Sequence, residues 1–536
     1  MNGSPDRDPP PGAAVCDDPG IARRLLIGTP ALLATATTIL GLCLPASAGA
    51  AFTPGATTLG DPLFPQIGNG GYDVGHYDIA LNYAPATNSL GAGTVTTIAA
   101  VATQDLSSFT FDFQPDLQIS GVTIDGHAAT FNQRDAKPRL SRNPKVTQPG
   151  KLIIVPPAGI ATGSNFVVKV TYSGVPEPIT DADVSIEGWV RACSTPGNCD
   201  GSFTVNEPIG AQSWFPCNNY MTDKATVSTE ITVPNGYTAL GTGELASCVA
   251  GPGETTTWSW TEDDPTATYL TSASVGRFEY DDSQTLFDPT GSVTLPIYAA
   301  IDSAGPASAK DEVRDAASQI PSGINFLSRR FGPYPFDSVG YVADWVPAVG
   351  YALENQTKPH FAGDKRGPVV DPGELVHELA HQWMGNDVTA RTWQEIWFNE
   401  GWATFAEIYF DARVNGGESP KKFFRTVIRS KGKNFRIAPA DLGSAANLFS
   451  GFPVYSRPGA MLEGYREIVG SKRFFAFARA LTTEHAYSTI SERPFVNAAV
   501  NGSGLRPNAA GKLRTYFRQW LHREGKPTLT PADFRR

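Results

Sequence analysis

The chain has 536 residues, of which 41% are hydrophobic and 18% charged, with a formal net charge of −10. That composition excludes a disordered chain, and its length points to two or three domains rather than one core. The acidic balance excludes nucleic acid as a partner, because phosphate binding needs a basic footprint.

The first fifty residues differ from the rest. Arg23 and Arg24 precede a stretch, 25–44, without a charged residue. Pro45-Ala46-Ser47-Ala48-Gly49-Ala50 then supplies the small residues that a signal peptidase cuts. Residues 1–50 therefore read as an export leader, cleaved near Ala48 or Ala50, and the protein as secreted. The rival is an uncleaved anchor, because the apolar run is nearly long enough to span a bilayer. The Arg pair hints at twin-arginine export, and Cys43 at lipid modification, against which the bulky Leu42 speaks. No later segment is apolar and long enough to span.

Residues 51–277 are expected to form an antiparallel β domain, a sandwich or saddle. Short alternating runs, such as His76-Tyr77-Asp78-Ile79-Ala80-Leu81, Phe109-Thr110-Phe111-Asp112-Phe113 and Phe166-Val167-Val168-Lys169-Val170, are separated by Gly, Asn, Asp and Pro. Four cysteines follow the leader: Cys193, Cys199, Cys217 and Cys248. An even number in an exported chain favours disulfides over a four-cysteine zinc site, whose paired spacing is missing. Cys193 and Cys199 bracket a turn, and Cys217 and Cys248 flank an expected hairpin turning at Pro234-Asn235-Gly236, so the expected bridges are 193–199 and 217–248. Three pairings remain open to a sequence reading.

Residues 278–536 change character, with helical composition at 307–331, 374–384, 400–412, 421–428, 461–469, 473–481 and 512–523. The fold class expected is α+β, a β-rich amino half before a mostly helical carboxyl half. Within the second half, 377–381 read His-Glu-Leu-Ala-His, in a chain with seven histidines. On a helix, positions four apart share a face, so His377 and His381 can reach one metal, with Glu378 beside it as a general base. Asp371, Pro372 and Glu374 sign the start of that helix. A catalytic zinc takes three protein ligands and keeps an open position. Glu400, in Trp397-Phe398-Asn399-Glu400-Gly401-Trp402-Ala403, opens the next helical run and is the third ligand expected for one Zn²⁺ per chain.

His-Glu-x-x-His followed by Glu within Trp-x-x-Glu-Gly-x-Ala is similar to the aminopeptidase N family of zinc metallopeptidases. Phe331-Gly332-Pro333-Tyr334-Pro335-Phe336, His381-Gln382-Trp383-Met384-Gly385-Asn386, Gly71-Tyr72-Asp73-Val74 and Phe215-Pro216-Cys217 resemble other landmarks of that family, most closely its short secreted bacterial members. The resemblance implies a thermolysin-like catalytic domain and hydrolysis of the first peptide bond of peptides with a free amino terminus. It implies that Glu354, in Tyr351-Ala352-Leu353-Glu354-Asn355, and Glu207, in Glu207-Pro208-Ile209-Gly210, bind the substrate ammonium. Tyr351 and Leu353 depart from the family's Gly and Met. It implies further that Tyr455 donates to the developing oxyanion, although Pro458 shifts the usual spacing by one residue, and Tyr465 is the competing tyrosine. The alternatives are a zinc endopeptidase with the same ligands, a non-catalytic binding protein on this fold, and a small-molecule hydrolase side activity.

Overall fold

A computed structural model describes residues 51–534 apart from Pro289 and Ser292. The expected leader, 1–50, lies outside the described residues. Among them, no helix is long and apolar enough to cross a membrane.

The alternating runs become strands with one buried face. In the strand Tyr72–Ala84, Tyr77, Ile79 and Leu81 point inward while Asp78 is exposed. Period-two patterning specifies register, because a one-residue slip would turn every apolar side chain to solvent. The central sheet has nine strands, and most neighbours run antiparallel. One pair does not: Ala225–Pro234 lies parallel to Tyr72–Ala84, with Thr229 opposite Ile79. This changes the expected hairpin at Pro234-Asn235-Gly236. The strand before that turn pairs with Thr255–Thr266 and Tyr72–Ala84, whereas the strand after it, Thr238–Gly241, pairs with Ala273–Gly276 in another sheet.

The cysteines divide accordingly. Cys193 and Cys199 form a disulfide across the turn joining Ile186–Thr195 to Asn198–Val205. The expected 217–248 bridge is not formed, because Cys217 is a free, buried thiol. Its backbone pairs with Asp112 in the interior, while Cys248 lies on Glu244–Gly251, the outermost strand of the nine-stranded sheet.

From Phe278 a second architecture begins. Five strands run in the order Phe278–Asp288, Val293–Asp302, Val339–Asp344, His360–Ala362, Ala352–Leu353. The middle three are mutually parallel, and Ala352–Leu353 forms an antiparallel edge. Helices pack beside this sheet around a core containing Leu375, Leu379, Trp402, Phe405 and Phe474. The β half has its own core around Ile79, Phe111, Val168 and Trp260. Lys224 ties the two together, donating to the carbonyls of Asn386 (2.6 Å) and Asp387 (2.9 Å) just beyond the helix Pro372–His381. Expected helices appear at Pro420–Arg429, Arg457–Val469, Ser471–Glu484 and Pro507–His522, and Glu492–Gly502 is an additional one.

Candidate metal centre

The helix Pro372–His381 starts as its sequence requires. The Asp371 side chain accepts the N–H groups of Gly373 (2.8 Å) and Glu374 (3.1 Å), and Pro372 occupies the first turn. A cap of this kind contributes about 1 kcal/mol. Leu375, Val376, Leu379 and Ala380 are buried, which leaves His377, Glu378 and His381 on the side facing a cavity. The next long helix, Trp397–Phe410, packs beside it and brings Glu400 across. Glu400 Oε2 lies 3.2 Å from His377 Nε2 and 3.5 Å from His381 Nε2. One ligand atom from each of the three residues falls within 4.8 Å of the others.

Both imidazoles are oriented from behind. His377 Nδ1 meets Glu407 Oε2 at 3.2 Å, and His381 Nδ1 meets the Met384 carbonyl at 3.2 Å. Fixing one ring nitrogen aims the other at the metal position. Gly385 makes the second contact possible: at φ 150, a Cβ there would stand 2.8 Å from His381 Nδ1. The set of two imidazole nitrogens and one carboxylate oxygen, with orienting partners behind both rings, fits a zinc ion. Burial disfavours charge on these groups, but their mutual attraction prevails. Glu400 is held down to about 2 by the two histidines, and His381 is held up to about 9 by Glu354 and Glu400.

The cavity has a volume of about 420 Å³ and is lined by Glu207, Tyr351, Ala352, Glu354, Asp371, Glu374, His377, Glu378, His381, Glu400, Glu407 and Tyr455. Seven of these are acids and none is lysine or arginine, so the cleft attracts cations. The residues expected to hold the metal, act as base, bind substrate or donate to the oxyanion all reach it: His377, His381 and Glu400, Glu378, Glu207 and Glu354, and Tyr455. Glu378 is buried, with Oε2 free of hydrogen bonds, and burial pushes its carboxyl up to about 8 against the pull of His377 and His381. Glu207 is buried too, with Oε1 unpartnered. Burial, then Glu354 and Glu400, holds its pKa well above the usual carboxylate range.

Tyr455 sits in the turn Gly451–Ser456, its ring at 6.1 Å and 28° to that of His377. The helix that follows, Arg457–Val469, comes close because residue 401 is glycine; a Cβ there would stand 2.6 Å from Pro458 Cβ. Tyr465 is turned away into the core, donating to the Ala499 carbonyl at 2.6 Å. Tyr351 lines the cavity and donates to the Ile186 carbonyl at 2.7 Å, so its side chain fills part of the wall that a glycine would leave open.

Residues 373–520 match the Peptidase family M1 domain. That stretch carries His377, Glu378, His381, Glu400 and Tyr455. An aminopeptidase N of Streptomyces lividans is 25% identical over 330 residues, covering 58% of this chain and 36% of the relative. Aminopeptidase M1 of Arabidopsis thaliana is 25% identical over 354 residues, covering 61% of this chain and 37% of the relative. The chain thus spans little more than a third of the length of these relatives. A crystal structure of an M1 zinc metallopeptidase from Deinococcus radiodurans shares the fold, with a TM-score of 0.73 at 22% identity, covering 88% of this chain and 99% of that one.

Four residues of this site escaped the sequence reading. Glu407 lies seven positions beyond Glu400, two helical turns on, so helical spacing could have flagged it. Tyr269 belongs to the β half, and its hydroxyl reaches Glu354 Oε1 at 3.4 Å. Gln382 and Asn386 were visible only as part of the family resemblance, and each donates to the Glu354 carbonyl.

Proposed function

We propose that this M1 chain is a zinc aminopeptidase that removes the first residue from peptides with a free amino terminus. One observation carries the reading: the two carboxylates Glu207 and Glu354 line the same acid-lined cavity as the triad His377, His381 and Glu400. A cation-binding end beside a metal-binding end defines which peptide bond is placed for cleavage. The family match, the aminopeptidase relatives and a Deinococcus M1 structure bound to a Tyr-Ser-Ala substrate support it.

Zinc held by His377, His381 and Glu400 would supply Lewis acidity and make water more acidic. The chain's own residues do the rest. Glu378 takes a proton from the attacking water and passes it to the departing amine nitrogen. Tyr455 donates to the carbonyl oxygen as negative charge develops there. Glu207 and Glu354 hold the substrate ammonium and fix the first carbonyl in place. We further place the protein outside the cytoplasm, acting after export; the Cys193–Cys199 bridge supports that setting.

The test uses aminoacyl para-nitroanilides and their N-acetylated counterparts, with chelator and re-added zinc. Cleavage of the free-amine reporters alone, lost with chelator and restored by zinc, is expected. Equal cleavage of the acetylated reporters would make the enzyme an endopeptidase, and no cleavage of either would make it a binding protein.

A further inference from the structure

The carboxylate of Glu354 is fastened little by its own contacts. Its Oε1 receives one long hydrogen bond, from Tyr269 at 3.4 Å. Its backbone is held much harder. The Glu354 carbonyl accepts from Gln382 Nε2 at 3.1 Å and from Asn386 Nδ2 at 2.8 Å, using both lone pairs of that oxygen. Gln382 has a second grip: its Oε1 accepts the Thr357 N–H at 2.9 Å. Thr357 sits at φ 68, a conformation that a β-branched residue avoids. The segment carrying Glu354 is therefore bent and pinned at two points, 354 and 357.

Both pins come from the end of the helix that carries the metal ligands. Gln382 directly follows His381, and the Asn386 N–H donates to the His381 carbonyl at 2.9 Å. Gln382 and Asn386 are buried, so water does not compete for these bonds. His381 and Glu354 thus belong to one short hydrogen-bonded frame.

Resting on the aminopeptidase reading, we propose that Gln382 and Asn386 are positioning residues that set the span between the metal ligands and the ammonium-binding carboxylate of Glu354. That span decides that the bond reaching the metal is the first one of the peptide. Neither side chain lines the cavity, so their effect on substrate runs through the residues they hold: Glu354 above all, and Glu378, whose carbonyl Gln382 Nε2 also reaches at 3.4 Å. Misplacing a substrate-orienting group by about 1 Å can cost about 10²-fold.

The experiment compares the full-length zinc-loaded enzyme with Gln382→Met and Asn386→Ala. The first keeps the side-chain length and removes both amide grips, and the second removes one donor. The probes are alanine para-nitroanilide and its N-acetylated form, with zinc content measured in parallel. The expected result is zinc still at one per chain and little change in kcat. KM for the free-amine reporter should rise roughly tenfold or more for Gln382→Met and less for Asn386→Ala, and preference over the acetylated reporter should shrink with it. Wild-type KM and preference in both variants, or a fall in kcat alone, would overturn the proposal, because general damage to the fold lowers the active fraction without touching either quantity. Should Gln382→Met fail to fold, Asn386→Ala decides the matter by the same two readouts. A parent enzyme that cleaves both reporters equally overturns the aminopeptidase reading itself, and this proposal with it.

Discussion

The two ends of the cleft are built in different ways. The metal end is local: His377, Glu378, His381 and Glu400 sit on two neighbouring helices joined by a short connection, and Glu407 supports them from the second helix. The proposed amine end is assembled from distant parts, with Glu207 from the β half and Glu354 beside the edge strand Ala352–Leu353. Helical geometry and the packing of two neighbouring helices bring the first set close together. Long-range packing and a few buried hydrogen bonds place the second. Damage at the metal end should therefore appear in turnover or metal affinity, and damage at the amine end in KM and in selectivity for the amino terminus.

The sharpest test of that division is Glu378→Gln. It should lower kcat by about 10⁴-fold, the upper range for a general acid–base group, with zinc still bound; near-normal turnover would remove the proposed base. Tyr455→Phe should cost about 10²–10³ in kcat with KM nearly unchanged, the loss expected for an oxyanion donor. A change confined to KM would move Tyr455 to the substrate-binding side. At the other end, Glu354→Gln should raise KM for free-amine reporters roughly 10- to 100-fold, the worth of a charge-assisted hydrogen bond, and narrow the margin over acetylated ones. Glu407→Gln should weaken zinc affinity about 10- to 100-fold, read by competition with a chelating dye, and leave kcat of the zinc-saturated enzyme close to wild type.

The smallest effect is on stability and concerns the ground beneath Glu207. Glu187, on the strand Ile186–Thr195, accepts the Ile209 N–H at 2.9 Å and so holds the loop that carries Glu207. Asp181 is buried nearby and, mainly through burial, has its pKa pushed up to about 7. Its folded value lies above its unfolded one, so the folded state prefers it protonated. Its contribution to stability is then most favourable below about pH 4 and is lost as pH rises towards 7. Asp181→Asn should flatten that part of the Tm-against-pH curve, with activity at neutral pH retained. An unchanged slope would place the burden on another group.

Much of this was legible in the chain. The capped helix with two histidines four apart needed no tertiary information, because helix geometry puts those positions on one face. Alternation along 76–81 and 166–170 marked strand faces correctly for the same kind of reason. The turn between Cys193 and Cys199 suggested a bridge that the structure forms, although the sequence left three pairings open. Partners across sheets were a different matter. Periodicity says which face of a strand is buried but not which strand lies beside it, so the parallel pairing of Ala225–Pro234 with Tyr72–Ala84 was invisible, and with it the separation of Cys217 from Cys248.

By itself, then, the sequence pointed to the candidate metal triad, the proposed base and the two-part α+β character, through short-range spacing and the motifs around it. Only the tertiary structure decided that Tyr455 faces the cleft while Tyr465 faces the core, that Glu407 and Met384 aim the imidazoles, and that Gln382 and Asn386 pin Glu354. Those outcomes depend on which surfaces meet when distant segments pack, and local spacing does not encode that.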